Sequence, residues 1–391
     1  MSFRGLTLGI PKEILAGERR VATTPEFVRK MVSEGAAVVV EMGAGEGSFF
    51  SDDEYRAAGA ELLAGAEEVF AKSNLILKVK EPRFSDKTGK HEVDMMKEEQ
   101  YLITFLHPAS PANHQMVRKL AAKGVIAITL DSIPRISRAQ TMDALTSMST
   151  VAGYKAVLMA ANILPAFVPM ISSAVGTSQT AKVVVIGTGV AGLQSLATAK
   201  RLGAVVYGAD IRPDACEQAK SLGAKIIDVQ VPAEVSVGKG GYAMKLPEKW
   251  LVKEQQSLRD SVSLADIVIL TALIPGKVAP VLITEEMVKS MKPGSVIVDV
   301  AIDQGGNCEI SEAERLVTKY GVNIDGTLNI PSMLPRSSTW MFACNMYNLL
   351  TYMIKDGKVN LSMDDEIIAS SLVTKDGKIV HSGTLEAMEL K

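Results

Sequence analysis

"KVVVIGTGVAGLQSLATAKRLGAVVYGADIR", from Lys182 to Arg212, decides the fold. Val183–Ile186 is a β-branched run of the kind that fills a strand buried on both faces. "GTGVAG", Gly187 to Gly192, is a GxGxxG turn, and "AGLQSLATAKRLG" after it has helical character. A second apolar strand ends in Asp210, about twenty residues further on. Strand, glycine turn, helix, strand and acidic residue together make a dinucleotide-binding βαβ unit. Gly187 permits the tight turn, Gly189 lets the backbone approach a pyrophosphate, and Gly192 lets the helix lie close to the sheet. Thr188, Val190 and Ala191 complete the turn, whose helix N-terminus offers N–H groups and a favourable dipole to phosphate. Asp210, followed by Ile211 and Arg212, is placed to accept hydrogen bonds from the adenosine ribose. Its charge repels a 2′-phosphate, which favours NAD over NADP; Arg212 weighs the other way.

Outward from that unit the pattern continues. "ADIVILTALIPG", "GSVIVDVAID" and "GVNIDGTLNIP" supply further strands up to Pro331. Among them lies "VPAEVSVGKGGYAMKLPEKW", a Gly-rich stretch with Lys239, Tyr242 and Lys245 that is expected to be a mobile surface loop hinged at Gly240–Gly241. The first third also alternates strands ("GLTLGIP", "AAVVVEMG", "SNLILKVKEP", "QYLITFLHP", "GVIAITLD") with helices ("TPEFVRKMVSEG", "PANHQMVRKLAAKG"), and it has no Gly-rich phosphate loop. Such alternation predicts a parallel, helix-covered sheet. The tail, an apolar helix "STWMFACNMYNLLTYMIKDG" and a hairpin "SLVTKDGKIVH", is expected to pack back on the first domain. The expected class is α/β, with two Rossmann-like parallel-sheet domains separated by a cleft. Residues 1–133 with 332–391 form the first and residues 134–331 the NAD(H)-binding second.

Composition excludes several functions. A chain of 391 residues, 47% apolar and 22% charged, suits two globular domains. With a net charge of −2 and 5% aromatics, it carries neither a nucleic-acid footprint nor stacking platforms. Cys216, Cys308 and Cys344 are far apart, and the four histidines make no HExxH pattern, so no disulfide framework or metal site is expected. "MSFRGLTLGIPKE" lacks the apolar core of a signal peptide. The uncharged run from Ala156 to Ala181 is long enough to cross a bilayer. Because it contains Asn162, Pro165, Pro169 and Gly176, a buried helix between the two domains is the expectation.

"PRISRAQTMDALTSM", Pro134 to Met148, concentrates fixed hydrogen-bonding groups at the edge of that apolar run. With "TALIPGK", "MKPGSVIVD" and "GGNCE", it resembles the soluble NAD(H)-binding component of proton-translocating nicotinamide nucleotide transhydrogenases. The likeness spans nearly the whole chain, from "GIPKE" and "RVATTP" to the tail hairpin. It implies hydride transfer between NAD(H) bound here and NADP(H) held by a partner subunit. It also implies a homodimer docked on membrane-spanning partners at the cytoplasmic face. By the same resemblance Arg135, Gln140 and Asp143 orient the nicotinamide, with Ile136, Ser137 and Arg138 in their loop and Thr146 where a serine is common. Tyr242 lies on the closing loop, and Ala272 and Leu273 in "TALIPGK" border the nucleotide. Two nicotinamides exchanging hydride need no nucleophile; they need fixed rings and excluded water. Asp143 is expected to hold Arg135 in place.

The resemblance extends to alanine dehydrogenases through "RVATTP", "LKVKEP", "TFLHPA" and "AIDQGG". It implies Arg20 and Lys80 as a carboxylate clamp, His107 as acid/base and Asp303 as the end of a proton relay, a set suited to oxidative deamination of L-alanine. A plainer reading pairs Arg20 with Glu13 or Glu18 and Lys80 with Glu81, and has His107 simply cap a strand. A non-catalytic NAD-binding protein is the third possibility, and the intact nicotinamide loop argues against it.

Overall fold

The computed structural model describes residues 2–238, 243–274 and 278–389. The chain forms two compact units, Met1–Met148 with Ser332–Lys391, and Ser149–Pro331.

The first unit is built on β1 (Thr7–Ile10), β2 (Ala37–Glu41), β3 (Glu61–Leu63), β4 (Leu75–Leu77), β5 (Tyr101–Thr104) and β6 (Ile126–Thr129). They lie parallel in the order β3-β2-β1-β4-β5-β6, and the tail hairpin Leu372–Lys375/Lys378–Ile379 extends the sheet antiparallel to β6. Side chains alternate across the sheet. Leu8, Val38, Val40, Leu75 and Leu77 enter one core, whereas Val39, Ile76 and Leu102 enter the other. This double burial explains the nearly continuous apolar runs. The Pro335–Met353 helix covers the first core with Phe342, Met346, Leu349, Leu350 and Met353, spaced as one helical stripe.

The second unit has β7 (Lys182–Ile186), β8 (Val205–Ala209), β9 (Lys225–Ile226), β10 (Ile267–Leu270), β11 (Val296–Asp299), β12 (Leu316–Lys319) and β13 (Val322–Asp325). Its order is β9-β8-β7-β10-β11-β13-β12, parallel apart from β12. The winding direction reverses between β7 and β10, and such a switch point opens a crevice at the carboxyl ends of the strands.

Two expectations need correction. Residues 134–148 pack in the first unit. Ala139 and Met142 enter its core, and the Thr141 carbonyl accepts from Asn345 at 2.9 Å and Asn348 at 3.1 Å on the Pro335–Met353 helix. The apolar run is not one buried helix. A helix spans Ala144–Ile163 and stops before Pro165, which has no N–H and restricts the residue ahead of it. A short hairpin, Ser172–Ser173 with Gly176–Thr177, follows, with Phe167 and Met170 each 62% exposed. Among the described residues no helix is long and apolar enough to cross a membrane. The expected mobile loop centres on Lys239–Tyr242, which lies outside the described residues.

Candidate functional site

The glycine turn sits at the switch point of the second unit. Gly187 has φ +85°, which only glycine adopts without strain, and a Cβ there would stand 2.7 Å from the Ala272 nitrogen. Its carbonyl accepts from the Thr271 hydroxyl at 2.6 Å, tying the turn to the end of β10. A Cβ on Gly192 would lie 1.9 Å from the Gly187 oxygen, so the Val190–Arg201 helix starts as close to the turn as backbone allows. At Gly189 there is room: a Cβ would meet only the Arg212 guanidinium, at 3.7 Å. Gly189 also caps this helix without a side-chain hydrogen bond. Its first-turn N–H groups therefore face outward for an anion. Buried Thr188 and half-buried Val190 and Ala191 complete a cradle that fits a pyrophosphate.

Asp210 follows β8 and is 8% exposed. One carboxylate oxygen accepts from the Thr188 N–H at 2.8 Å and from an Arg212 Nη at 2.8 Å; the other accepts from the Arg212 N–H and Nε, both at 2.9 Å. The Asp210 hydrogen bond, set against partial burial, raises the Arg212 guanidinium above its already high range. A ribose hydroxyl reaching this carboxylate has to displace the guanidinium, because the acceptor sites are full. Ile211 is half-buried, and its carbonyl accepts from Ser236 at 2.9 Å.

Ala272 is held by a residue to which its motif alone gives no role. Asn307, from "GGNCE", is fully buried; its side chain accepts from the Ala272 N–H at 2.9 Å and donates to the Ala272 carbonyl at 2.9 Å and the Pro280 carbonyl at 2.8 Å. Asp299, at the end of β11, fixes that loop by accepting from the Asn307 and Cys308 N–H groups, each at 3.0 Å. Leu273 is 39% exposed beside the turn.

In the first unit, Ser137–Met142 is a short 3₁₀ helix with Arg135, Ser137, Arg138 and Gln140 exposed and Ile136 half-buried. Arg138 donates to the Tyr352 hydroxyl at 3.3 Å and lies 3.7 Å from Asp365. Asp143 does not brace Arg135. Its carboxylate accepts from the Thr146 N–H at 2.8 Å and the Thr146 hydroxyl at 2.6 Å, which makes it the cap of the Ala144–Ile163 helix. Tyr242 lies outside the described residues.

Three of the four dehydrogenase-type residues fall in the first unit. Arg20 is 3% exposed and is engaged by Glu18 through paired contacts of 2.7 and 2.6 Å. Lys80 is half-buried, and Glu81 pairs with Arg83 rather than with it. His107 has φ +45° and an Nδ1 2.7 Å from an Asp131 oxygen, with Phe105 stacked on its ring. Burial disfavours the imidazolium, yet the Asp131 charge and hydrogen bond prevail and raise the His107 pKa; the same pair lowers that of Asp131. Asp131 is thus a carboxylate partner of His107, because β5 and β6 run side by side and end together. Asp303 is exposed in the second unit and accepts from the Asn329 N–H at 3.4 Å. Among the described residues no cluster of histidine, cysteine and carboxylate side chains could hold a metal ion.

Comparison with known proteins agrees with this geometry. The alanine dehydrogenase/PNT N-terminal domain matches residues 9–152, and the C-terminal domain of the same family matches residues 156–382. Over 379 residues the chain is 44% identical to an NAD(P) transhydrogenase alpha subunit of Rhodospirillum rubrum, covering 96% of this chain and 98% of that one. It is 34% identical to alanine dehydrogenase of Bacillus subtilis, covering 96% and 93%. The structure of transhydrogenase from Sinorhizobium meliloti superposes with a TM-score of 0.83 at 39% identity, over 96% of this chain and all of that one. With both halves matched and these relatives aligned end to end, the chain belongs to the alanine dehydrogenase/PNT family of nicotinamide-nucleotide oxidoreductases.

Proposed function

We propose that this chain is the soluble NAD(H)-binding subunit of a proton-translocating transhydrogenase, passing hydride to NADP⁺ bound on a partner subunit. The observation that carries the reading is the open glycine turn with Asp210 beside it, in a chain 44% identical to a transhydrogenase alpha subunit. Bound NADH supplies the hydride. Gly187–Gly192 receives the pyrophosphate on backbone N–H groups, and Asp210 accepts from the ribose in place of Arg212. Ala272, fixed by Asn307, and Leu273 border the nucleotide. Arg135, Gln140 and the loop from Ile136 to Arg138 orient the nicotinamide and exclude water. Asp143 and Thr146 serve the same end by fixing where the helix behind that loop begins. In this reading the working form is a homodimer seated on membrane-spanning and NADP(H)-binding subunits at the inner face of the cell membrane.

His107 and Asp131 keep a second reading alive, that of an NAD-dependent alanine dehydrogenase, because a carboxylate-backed imidazole suits proton transfer. Arg20 speaks against it, since its guanidinium is already held by Glu18. The isolated chain, given NADH, pyruvate and ammonium, is expected to show no turnover. Given an NAD⁺ analogue, NADPH and a separately made NADP(H)-binding subunit, it is expected to transfer hydride. Turnover in the first mixture and none in the second would replace the first reading by the second. Gln140→Ala should lower hydride transfer about a hundredfold with a much smaller loss of NADH affinity.

A further inference from the structure

The Glu248–Ser263 helix turns Leu251, Leu258 and Val262 toward a core that contains Ala209, Ile211, Ile227 and Val229, at the carboxyl end of β8. Glu254 stands on the same stripe, three residues after Leu251 and four before Leu258. It is 5% exposed, and among the described residues it has no hydrogen-bond or ion-pair partner. An apolar side chain would fill this place at lower free-energy cost. The helix face closes on the chain leaving β9, where Ser257 donates to the Val229 carbonyl at 3.4 Å. Burial and then the Asp210 charge push the Glu254 carboxyl up to about 7. Two buried carboxylates thus lie within electrostatic reach of each other, and the Arg212 guanidinium is held by Asp210.

This arrangement bears on nucleotide choice. When ribose hydroxyls occupy Asp210, the Arg212 guanidinium is displaced from it. A displaced arginine beside a ribose is what a 2′-phosphate needs, unless another negative charge compensates it. We infer that Glu254 is a second specificity-determining carboxylate at the adenosine-ribose end of the site, holding off a 2′-phosphate that Asp210 and Arg212 alone would tolerate. The inference rests on the NAD(H) reading above. It concerns only nucleotides that differ at the 2′ position, since a neutral 2′-hydroxyl is indifferent to the added charge.

The test is equilibrium binding of NADH and NADPH to the full chain at pH 8, where Glu254 is ionised. Glu254→Gln should reduce the preference for NADH over NADPH about tenfold. Glu254→Leu, which continues the apolar stripe, should do the same and provides a second variant whose folding is favoured. Adding Arg212→Gln to either should abolish the gain in NADPH affinity, a result that loosened packing alone would not produce. A preference within twofold of the parent in both folded variants would overturn the inference while leaving the NAD(H) reading intact. No saturable binding of either nucleotide to the parent chain would overturn both.

Discussion

The two units begin alike and diverge at the first turn. Each places its first strand, β1 or β7, in the middle of a doubly wound parallel sheet. After β1 the chain wanders through residues 11–24 before the Pro25–Ser33 helix starts, capped by the Thr24 hydroxyl on the Phe27 N–H. After β7 only Gly187–Gly189 intervene, and the helix starts with no side-chain cap. Charges follow the same contrast. In the first unit buried carboxylates meet cations from their own chain, Glu18 with Arg20, and Glu13 and Glu92 with Lys78. In the second, Arg212 is bound by Asp210, and Glu254 meets no cation among the described residues. A shared topology does not make a site. The candidate site lies where a helix starts at a glycine turn with no side chain of its own on its first N–H groups.

Removing a cation from the first unit is the strongest way to break this contrast. Lys78 is fully buried, 2.8 Å from Glu92 and 3.3 Å from Glu13. Burial opposes its charge, but the two carboxylates win and raise its pKa. Lys78→Met should cost about 3–5 kcal/mol, because two buried carboxylates are left without their cation. The shift in urea midpoint measures it, and a loss under about 1 kcal/mol would mean that Lys78 does not hold the two carboxylates in place.

Filling the turn of the second unit comes next. Gly192→Val forces a side chain against the Gly187 oxygen and the Thr271 hydroxyl. NADH affinity should fall at least about a hundredfold as the helix start is pushed from the sheet. Fluorescence titration would show it, and a normal dissociation constant would place the nucleotide elsewhere.

What can be foreseen from sequence divides along the same line. The glycine turn is legible because its parts are contiguous and each residue type has one geometric reason to be there. Asp210 is legible because it ends the next strand. Asn307 stands in a recognisable motif without showing its role, since its partner Ala272 is 35 residues away and only sheet order brings them together. Asp131 goes unnoticed for the same reason: its pairing with His107 depends on β5 and β6 being neighbours. The expectation that Asp143 braces Arg135 fails, although the Asp143–Thr146 spacing is itself a capping signal. Glu254 leaves a local trace, a single carboxylate in the Leu251, Leu258 and Val262 stripe. In the Ala156–Ala181 run apolar composition points to one helix, yet Pro165 and Pro169 decide where a helix must stop.

Charge removal should have the opposite sign in the second unit. The folded-state pKa of Glu254, about 7, lies above the ordinary carboxylate value of 4.5. The folded chain holds this proton longer than the unfolded one. Its contribution to stability is therefore greatest below about 4.5 and is lost as pH rises toward and past 7. Glu254→Gln abolishes that slope. The variant should match the parent near pH 5 and exceed it at pH 8 by on the order of 2 kcal/mol. Urea midpoints at the two pH values check this, and an unstable variant at pH 8 would show that the carboxylate has a stabilising partner after all.

The smallest effect separates two neighbours in the nicotinamide loop. Gln140 is exposed, so Gln140→Ala should leave the urea midpoint within about 0.5 kcal/mol of the parent. Asp143 caps the Ala144–Ile163 helix through Thr146, and Asp143→Ala should cost about 1 kcal/mol. Asp143→Asn keeps an acceptor for the Thr146 N–H and should recover most of that loss. The asparagine variant therefore distinguishes the two uses of this residue. If it restores stability and hydride transfer together, Asp143 acts by fixing the start of a helix that begins in one unit and ends in the other. If stability returns while transfer stays low, the negative charge itself acts on the nicotinamide, and the cap is incidental.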